Sequence, residues 1–342
     1  MLGLKVNKGD AERVRKYLAR HKLMDNNYRL ISDDEFIYFP IFREAVRQVG
    51  WLLKGGGGAL VDKAFARSGA IKNYRALLAE RLGAGYDKAT KSYDIMGDIA
   101  IIDAETMAIA KVMAIILMDI NSNVRTVLAK GGPVKGKYRI RDYLYVAGRR
   151  RYGTVYKENG ASFEIDVRKT FFSPRLAFER ERINRLVGAG ENVVVMFAGA
   201  GPFAVEIAKR HKDAKVVAME LNRDAYRYMV RNVKLNKTEN VVAELGDVRK
   251  VSKKYKRFAD RIVMPLPESS HEFLGPVILV ARKGCMVHYY AFAERDSAFK
   301  DCISMLRGFF REAKIPFRVV SKRIVRPYSA SRVEVCIDFR IY

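Results

Sequence analysis

The sequence predicts an α/β protein whose largest part is a parallel sheet covered on both faces, preceded by two smaller α/β (α+β) units. Three observations predict it. After residue 169, short apolar runs alternate with stretches of helical spacing, the pitch of strand–helix–strand crossovers. Gly55–Gly58, a run of glycines that buries nothing, divides the first fifty residues from the remainder of the chain. The chain has 342 residues and is 49% hydrophobic, enough for more than one core and too apolar for a disordered chain.

The elements run in this order. Lys8 to His21 has helical spacing with Val14 and Leu18 inward and Asp10 as N-cap. Tyr28–Ile31 and Phe36–Phe39 read as short strands around the turn Asp33-Asp34. Residues 1–52 therefore form a first domain, and residues 53–58 a glycine-rich linker. Residues 59–168 hold a second unit: Tyr93 to Ile102 is a strand broken by a turn, and Glu105 to Leu117 is a helix. Residues 169–342 carry strands at Val193–Phe197, Val216–Leu221, Val241–Leu245, Arg261–Met264 and Met286–Ala291. Helices at Pro202–His211 and Asp224–Leu235 lie between them, and a final hairpin spans Val319–Ile324 and Val333–Ile341.

Charge points to the partner. Lys and Arg number 64 against 38 Asp and Glu, a net +26 with more than half of the excess after residue 169. Such an excess suits a polyanion, because each neutralised phosphate releases counterions. Arg141 and the triple Arg149-Arg150-Arg151 are interleaved with Tyr138, Tyr143, Tyr145 and Tyr152. That mixture suits RNA, although a solvated strand face explains part of it equally well. Cys285, Cys302 and Cys336 lack metal-ligand spacing and read as reduced thiols, and the histidines form no zinc signature, so no metal is expected. Without a signal-like or membrane-spanning run, the expectation is a cytoplasmic protein, off the membrane and monomeric.

Met196-Phe197-Ala198-Gly199-Ala200-Gly201-Pro202-Phe203 ends a strand and opens a helix, as a nucleotide-binding turn does. Glu220 ends the next strand, placed for two ribose hydroxyls, which NAD and S-adenosylmethionine both require. Two details favour S-adenosylmethionine. Pro202 stands where a dinucleotide enzyme would want a free N–H for pyrophosphate. Asp247, ending the third strand, is placed to accept from an adenine amino group. An NAD-dependent enzyme would also need a hydride-handling site, and none is evident. A non-catalytic RNA-binding protein on the same fold is the other alternative, and would be expected to have lost Glu220 or the glycine loop.

Several segments in order resemble the archaeal and eukaryotic tRNA (guanine-37-N1)-methyltransferases over essentially the whole chain. They are Ser92–Ala100, Tyr138-Arg139-Ile140-Arg141, Phe172-Ser173-Pro174-Arg175-Leu176-Ala177-Phe178-Glu179-Arg180, the Met196–Phe203 loop, Glu220-Leu221-Asn222 and Met264-Pro265-Leu266-Pro267. The resemblance implies a class I (Rossmann-like) S-adenosylmethionine methyltransferase domain, tRNA as partner, and a first domain that reads the tRNA elbow. It implies Glu179 as general base, Arg139 as the arginine that stabilises O6, and Arg175 as holding the site or the target nucleotide. Phe197, Ala198, Gly199, Gly201, Pro202, Phe203, Glu220, Leu221, Asn222, Asp247, Val248 and Pro265 would bind the cofactor. Phe171, Ser173, Pro174, Arg141, Pro267 and Arg149–Arg151 would meet the RNA. Two departures stand out: Pro265 replaces a family asparagine, and Phe171 a tyrosine. Pro265-Leu266-Pro267 resembles the archaeal subgroup that also methylates C7 of a tricyclic wyosine precursor.

Overall fold

The computed structural model describes residues 1–25, 28–54, 57–65, 73–133, 136 and 140–342. The chain forms two compact units, Met1–Arg81 and Leu82–Tyr342.

In the first unit β1 (Leu2–Asn7) is followed by α1 (Ala11–Arg20), β2 (Ile31–Ser32), β3 (Phe36–Pro40), α2 (Gly50–Lys54) and β4 (Gly58–Asp62). The strands order β2-β3-β1-β4. Val14 and Leu18 of α1 are fully buried against Leu4, Phe39 and Val49, as the helical spacing predicts. Asp10 sits at the N-cap position, but its carboxylate pairs with Arg13 instead of capping. The expected linker over residues 53–58 and the boundary at residue 52 do not hold. Residues 53 and 54 close α2, and Gly58 opens β4, which runs antiparallel to β1. A Cβ at Gly58 would lie 3.2 Å from the Lys5 carbonyl oxygen. Glycine there permits close strand approach rather than slack. Gly55 and Gly56 lie outside the described residues.

The chain enters the second unit through α3 (Tyr74–Leu82). A four-stranded sheet β5-β6-β7-β8 is built from β5 (Ala89–Met96), β6 (Ile99–Ala104), β7 (Thr126–Lys130) and β8 (Tyr143–Gly148). α4 (Met107–Ile120) makes the crossover between the parallel pair β6 and β7, and Gly97 turns the β5–β6 hairpin with φ +57°. A separate hairpin of β9 (Gly153–Glu158) and β10 (Ala161–Asp166) follows.

The rest is α5 (Ala177–Leu186), β11 (Asn192–Met196), α6 (Pro202–Arg210), β12 (Lys215–Glu220), α7 (Arg223–Leu235), β13 (Val241–Leu245), α8 (Val248–Val251), β14 (Ala259–Met264), α9 (Leu274–Val280), β15 (Ala281–Glu294), α10 (Ala298–Glu312), β16 (Phe317–Pro327) and β17 (Arg332–Ile341). The seven strands order β13-β12-β11-β14-β15-β17-β16. The first five are parallel, and β17 slots antiparallel between β15 and β16. The dinucleotide fold has order 3-2-1-4-5-6 without that reversed strand, so the topology departs from NAD enzymes. Among the described residues no helix is long and apolar enough to cross a membrane.

The expected boundary at 168/169 moves ahead of the β9–β10 hairpin, because β10 is fastened to α7. Asn232 and Asn236 act as a surrogate strand: Asn232 accepts from the Glu164 N–H (2.7 Å) and donates to its carbonyl (3.1 Å). Asn236 does the same with Ser162, at 2.9 and 2.6 Å. Four helical residues rise about 6 Å and two strand residues about 6.6 Å, so the two ladders match. Tyr143, Tyr145 and Tyr152, expected among RNA-facing cations, instead pack on the core of β10, α6 and the four-stranded sheet. A solvated strand face does not describe them either; cations meet them at the rim, Arg150 at 5.9 Å from the Tyr145 ring centre and Arg168 at 3.7 Å from that of Tyr152.

Candidate active site

The parallel strands end on a cavity of about 540 Å³, within the range of small-molecule sites. Its first wall is the loop after β11. Phe197, Gly199 and Gly201 all take positive φ (56°, 60° and 86°), folding the chain back sharply over the strand ends. For Phe197 that conformation is strained and needs support, which Phe273 supplies edge-on at 4.7 Å. At Gly201 a Cβ would stand 2.8 Å from Met229, so only glycine fits. Pro202 occupies the first helical turn of α6 and offers no N–H.

Glu220 is the second wall, at the end of β12. Its carboxylate accepts from the Gly199 N–H at 2.7 Å and the Asn222 N–H at 2.6 Å, so it fixes the loop as well as facing the cavity. Burial raises its pKa, and the backbone hydrogen bonds oppose that shift. Asp247 caps α8 by accepting from the Arg249 N–H. Leu221, Val248 and Phe273 are apolar walls for a flat heterocycle. Arg249 lines the cavity but is committed to Glu272 at 3.2 Å and to the face of Phe273 at 4.1 Å. Carboxylates that accept from hydroxyls and an amine, with no N–H at Pro202, fit S-adenosylmethionine better than a dinucleotide.

Of the expected cofactor residues, Phe197, Ala198, Gly199, Pro202, Phe203, Glu220, Leu221, Asn222, Asp247, Val248 and Pro265 line this cavity, and Gly201 shapes it from behind. Phe171 and Ser173 line it too. Sequence reasoning missed Phe172, Leu176, Arg180, Arg249, Glu268 and Phe273. Phe273 carried the one available signal, an aromatic shortly after Pro265–Pro267. Replacing Glu220 with alanine is expected to weaken S-adenosylmethionine binding at least about 30-fold, since it strips the ribose acceptor and frees the Gly199 N–H. Titration calorimetry checks this, and unchanged affinity would remove Glu220 from the site.

Other expectations fall elsewhere. Arg139, with Tyr138, lies outside the described residues. Arg175 does not enter the cavity: half-exposed, it pairs with Asp94 of β5 at 2.7 Å and ties the Ser-Pro-Arg turn to the four-stranded sheet. Pro174, Pro267 and Arg141 are likewise not in the cavity wall. Arg149 and Arg150 are exposed at the end of β8, whereas Arg151 is spent on Asp98.

Glu179 is the largest difference. It is fully buried (1% exposed) and does not line the cavity. Arg182 grips both its oxygens at 2.7–3.1 Å, and the Tyr290 hydroxyl donates to Oε1 at 2.7 Å. Arg182 also bridges to Asp338 (2.7 Å). Asp338 accepts from His288 Nδ1 at 2.6 Å, and His288 Nε2 meets Arg261 at 2.8 Å, which fixes the neutral tautomer. Burial works to raise the Asp338 pKa, but His288 and Arg182 hold it well below the usual carboxylate range. His288, Cys336 and Asp338 lie together as a metal site would, yet two guanidiniums already occupy the cation positions around them.

A second buried cluster lies behind the cavity. Arg180 bonds Glu158 (2.6–2.7 Å) and the Ser173 carbonyl, with Glu206 at 3.5 Å. One guanidinium faces two carboxylates, and desolvation first, with the Glu158 charge adding, raises the Glu206 pKa to about 9. Folded protein therefore keeps a proton that the unfolded chain releases, so stability falls as pH climbs from about 4.5 to about 9. Glu206→Gln is expected to flatten that slope and to raise the melting temperature at alkaline pH. A variant whose pH–stability curve overlays the wild type would place the proton elsewhere.

Comparison with known proteins decides the family. The TRM5/TYW2 methyltransferase domain matches residues 154–317, the tRNA methyltransferase 5 N-terminal domain residues 3–48, and the TYW2 N-terminal domain residues 74–151. The tRNA (guanine(37)-N(1))-methyltransferase Trm5b of Pyrococcus abyssi is 34% identical, over 99% of both chains. The chain belongs to the TRM5/TYW2 methyltransferase family. Within that family, the tRNA 4-demethylwyosine(37)-methyltransferase Taw21 of Saccharolobus solfataricus is 31% identical over 73% of this chain and 94% of its own. A solved complex of aTrm5 with tRNALeu superposes with a TM-score of 0.72 at 29% identity, covering 100% of both chains. The match to the methyltransferase domain begins within the β9–β10 hairpin.

Proposed function

We propose that this protein transfers the methyl group of S-adenosylmethionine to N1 of guanosine-37 in tRNA, as a monomer in the cytoplasm. The observation that carries the reading is the joining, in a member of this family, of the β11 loop and the Phe171–Arg180 segment in one cavity at the sheet's C-terminal edge. When bound, S-adenosylmethionine supplies a methyl already activated by its sulfonium. What remains for the protein is in-line placement and one proton.

Guanine N1 becomes a nucleophile only as its proton leaves, and Glu179 is the carboxylate assigned to take it. Its oxygens are engaged by Arg182 and Tyr290, so this role requires that one of those hydrogen bonds is exchanged for the guanine N1–H as the base enters. Arg139 answers the charge that gathers on O6. Arg175 holds the turn that carries Phe171 and Ser173. Arg149 and Arg150 supply phosphate contacts, and the first unit reads the tRNA elbow. Pro265 and Leu266 present no side-chain amide in the cavity wall, which favours a second reading: C7 methylation of the wyosine precursor, whose tricycle has no N1 proton to donate.

Nucleoside mass spectrometry after incubation with guanosine-37 tRNA, and separately with precursor-bearing tRNA, tests both. The expected product is 1-methylguanosine at position 37. Its absence, with cofactor bound, would overturn the reading.

A further inference from the structure

Beside Pro265–Pro267, two rings and a guanidinium make a layered surface that the chemistry above does not use. The Phe292 N–H donates to the Pro267 carbonyl at 2.9 Å, which fixes this layer to the loop that lines the cavity. Tyr328 lies over Phe292 with ring centres 4.0 Å apart and planes inclined by 34°. The Arg332 guanidinium stands 5.6 Å from Phe292 and 5.9 Å from Tyr328. Tyr328 itself remains 50% exposed, at the turn between β16 and β17.

Side chains alternate along a strand, so Phe292 shares a face of β15 with Tyr290, the residue that bonds Glu179. Opposite them on β17 stand Glu334 and Cys336, with Arg326 bonded to Glu334 at 2.6 Å. The exposed ring therefore sits on the Glu179 side of the sheet, at its C-terminal edge, beside Arg332, whose other neighbour is Glu294 at 3.7 Å.

An enzyme that works on a base edge must turn that base out of its stack, which leaves the neighbouring base with one face uncovered. A half-exposed aromatic ring backed by a second ring and flanked by arginine is the surface that replaces a lost stacking partner without reading sequence. We propose that Tyr328, backed by Phe292 and flanked by Arg332, stacks the base adjoining the methylated guanosine once that guanosine is turned out; this rests on the function proposed above.

The test measures tRNA affinity for wild type, Tyr328→Ala, Tyr328→Leu and Tyr328→Phe, with S-adenosylmethionine affinity as the folding control. Alanine and leucine are expected to weaken tRNA binding about ten-fold, and phenylalanine less than about two-fold. Leucine keeps bulk on Phe292 without an aromatic face, so it decides the matter if the alanine variant fails to bind cofactor. Transfer RNAs lacking the base at position 36 or at position 38 complete a cycle. With one of them, wild type should already bind about ten-fold more weakly and Tyr328→Ala should cost nothing further. Alanine and leucine variants that bind intact tRNA like wild type would overturn the platform, as would a full Tyr328→Ala penalty on both abasic tRNAs. A wild type that forms no 1-methylguanosine would instead overturn the proposed function, whatever Tyr328 does.

Discussion

Glu179→Gln is expected to bind tRNA and S-adenosylmethionine near-normally while methylating guanosine-37 at least about 100-fold more slowly in single turnover. The amide keeps the size of the carboxylate and can still accept from Tyr290 or Arg182, but it cannot hold the N1 proton at neutral pH. The wild-type rate should rise with pH, because the guanine proton leaves more readily, and the variant should retain only the part driven by hydroxide. C7 methylation of the wyosine precursor, where it occurs, should depend on Glu179 differently. A variant that transfers methyl to guanosine-37 at full speed would make Glu179 a structural anchor for Arg182 and leave the proton to water. A melting curve guards against misreading a partly unfolded variant, since the substitution changes the charge facing a buried guanidinium.

The largest effect on stability is expected at Asp338. Asp338→Ala removes the shared acceptor of Arg182 and His288 inside a cluster where Asp338 is 3% exposed and His288 1%. Glu179 still holds Arg182, but the His288 N–H and one arm of the guanidinium are left without an acceptor, which costs about 2–4 kcal/mol. In a protein of this size that lowers the melting temperature by roughly 3–6 °C. The same carboxylate makes the fold acid-sensitive. Its pKa is depressed in the folded state, so its contribution is complete above the ordinary aspartate value and disappears as pH falls through the folded one. Thermal unfolding at neutral pH measures the effect directly. An unchanged midpoint would show that Arg182 and His288 find other acceptors when Asp338 is gone.

Those two residues mark the limit of what could be read from the chain alone. The β11 loop was legible because its chemistry is local: glycines, a proline at the helix start and a strand end lie within eight residues. Glu220 and Asp247 were legible for a similar reason, Glu220 closing β12 and Asp247 standing two residues past the end of β13. The partners of Glu179 were not. Tyr290 and Asp338 stand 111 and 156 residues away from Glu179 and Arg182, respectively. They meet through the register that sets His288 opposite Asp338 on antiparallel β15 and β17. No spacing rule reports such a pairing. The β4 strand was hidden for another reason: a glycine run has the same composition whether it serves slack or close approach, and the neighbouring strand decides. The tyrosines around Arg149–Arg151 misled because a stacking face and a core face are the same surface until a second sheet covers it.

Asn232 does more than fasten a hairpin. The same buried amide that bonds Glu164 also donates to the Ala200 carbonyl at 2.9 Å, inside the turn between β11 and α6. Moving β10 therefore pulls on the nucleotide loop through one side chain, and tightening the loop draws on β10. Under the proposed function, an RNA that shifts β10 acts on the same equilibrium as the cofactor. Whatever factor an occupied loop adds to the affinity for RNA, bound RNA must return to the loop, because the coupling free energy between two sites has one value from either end.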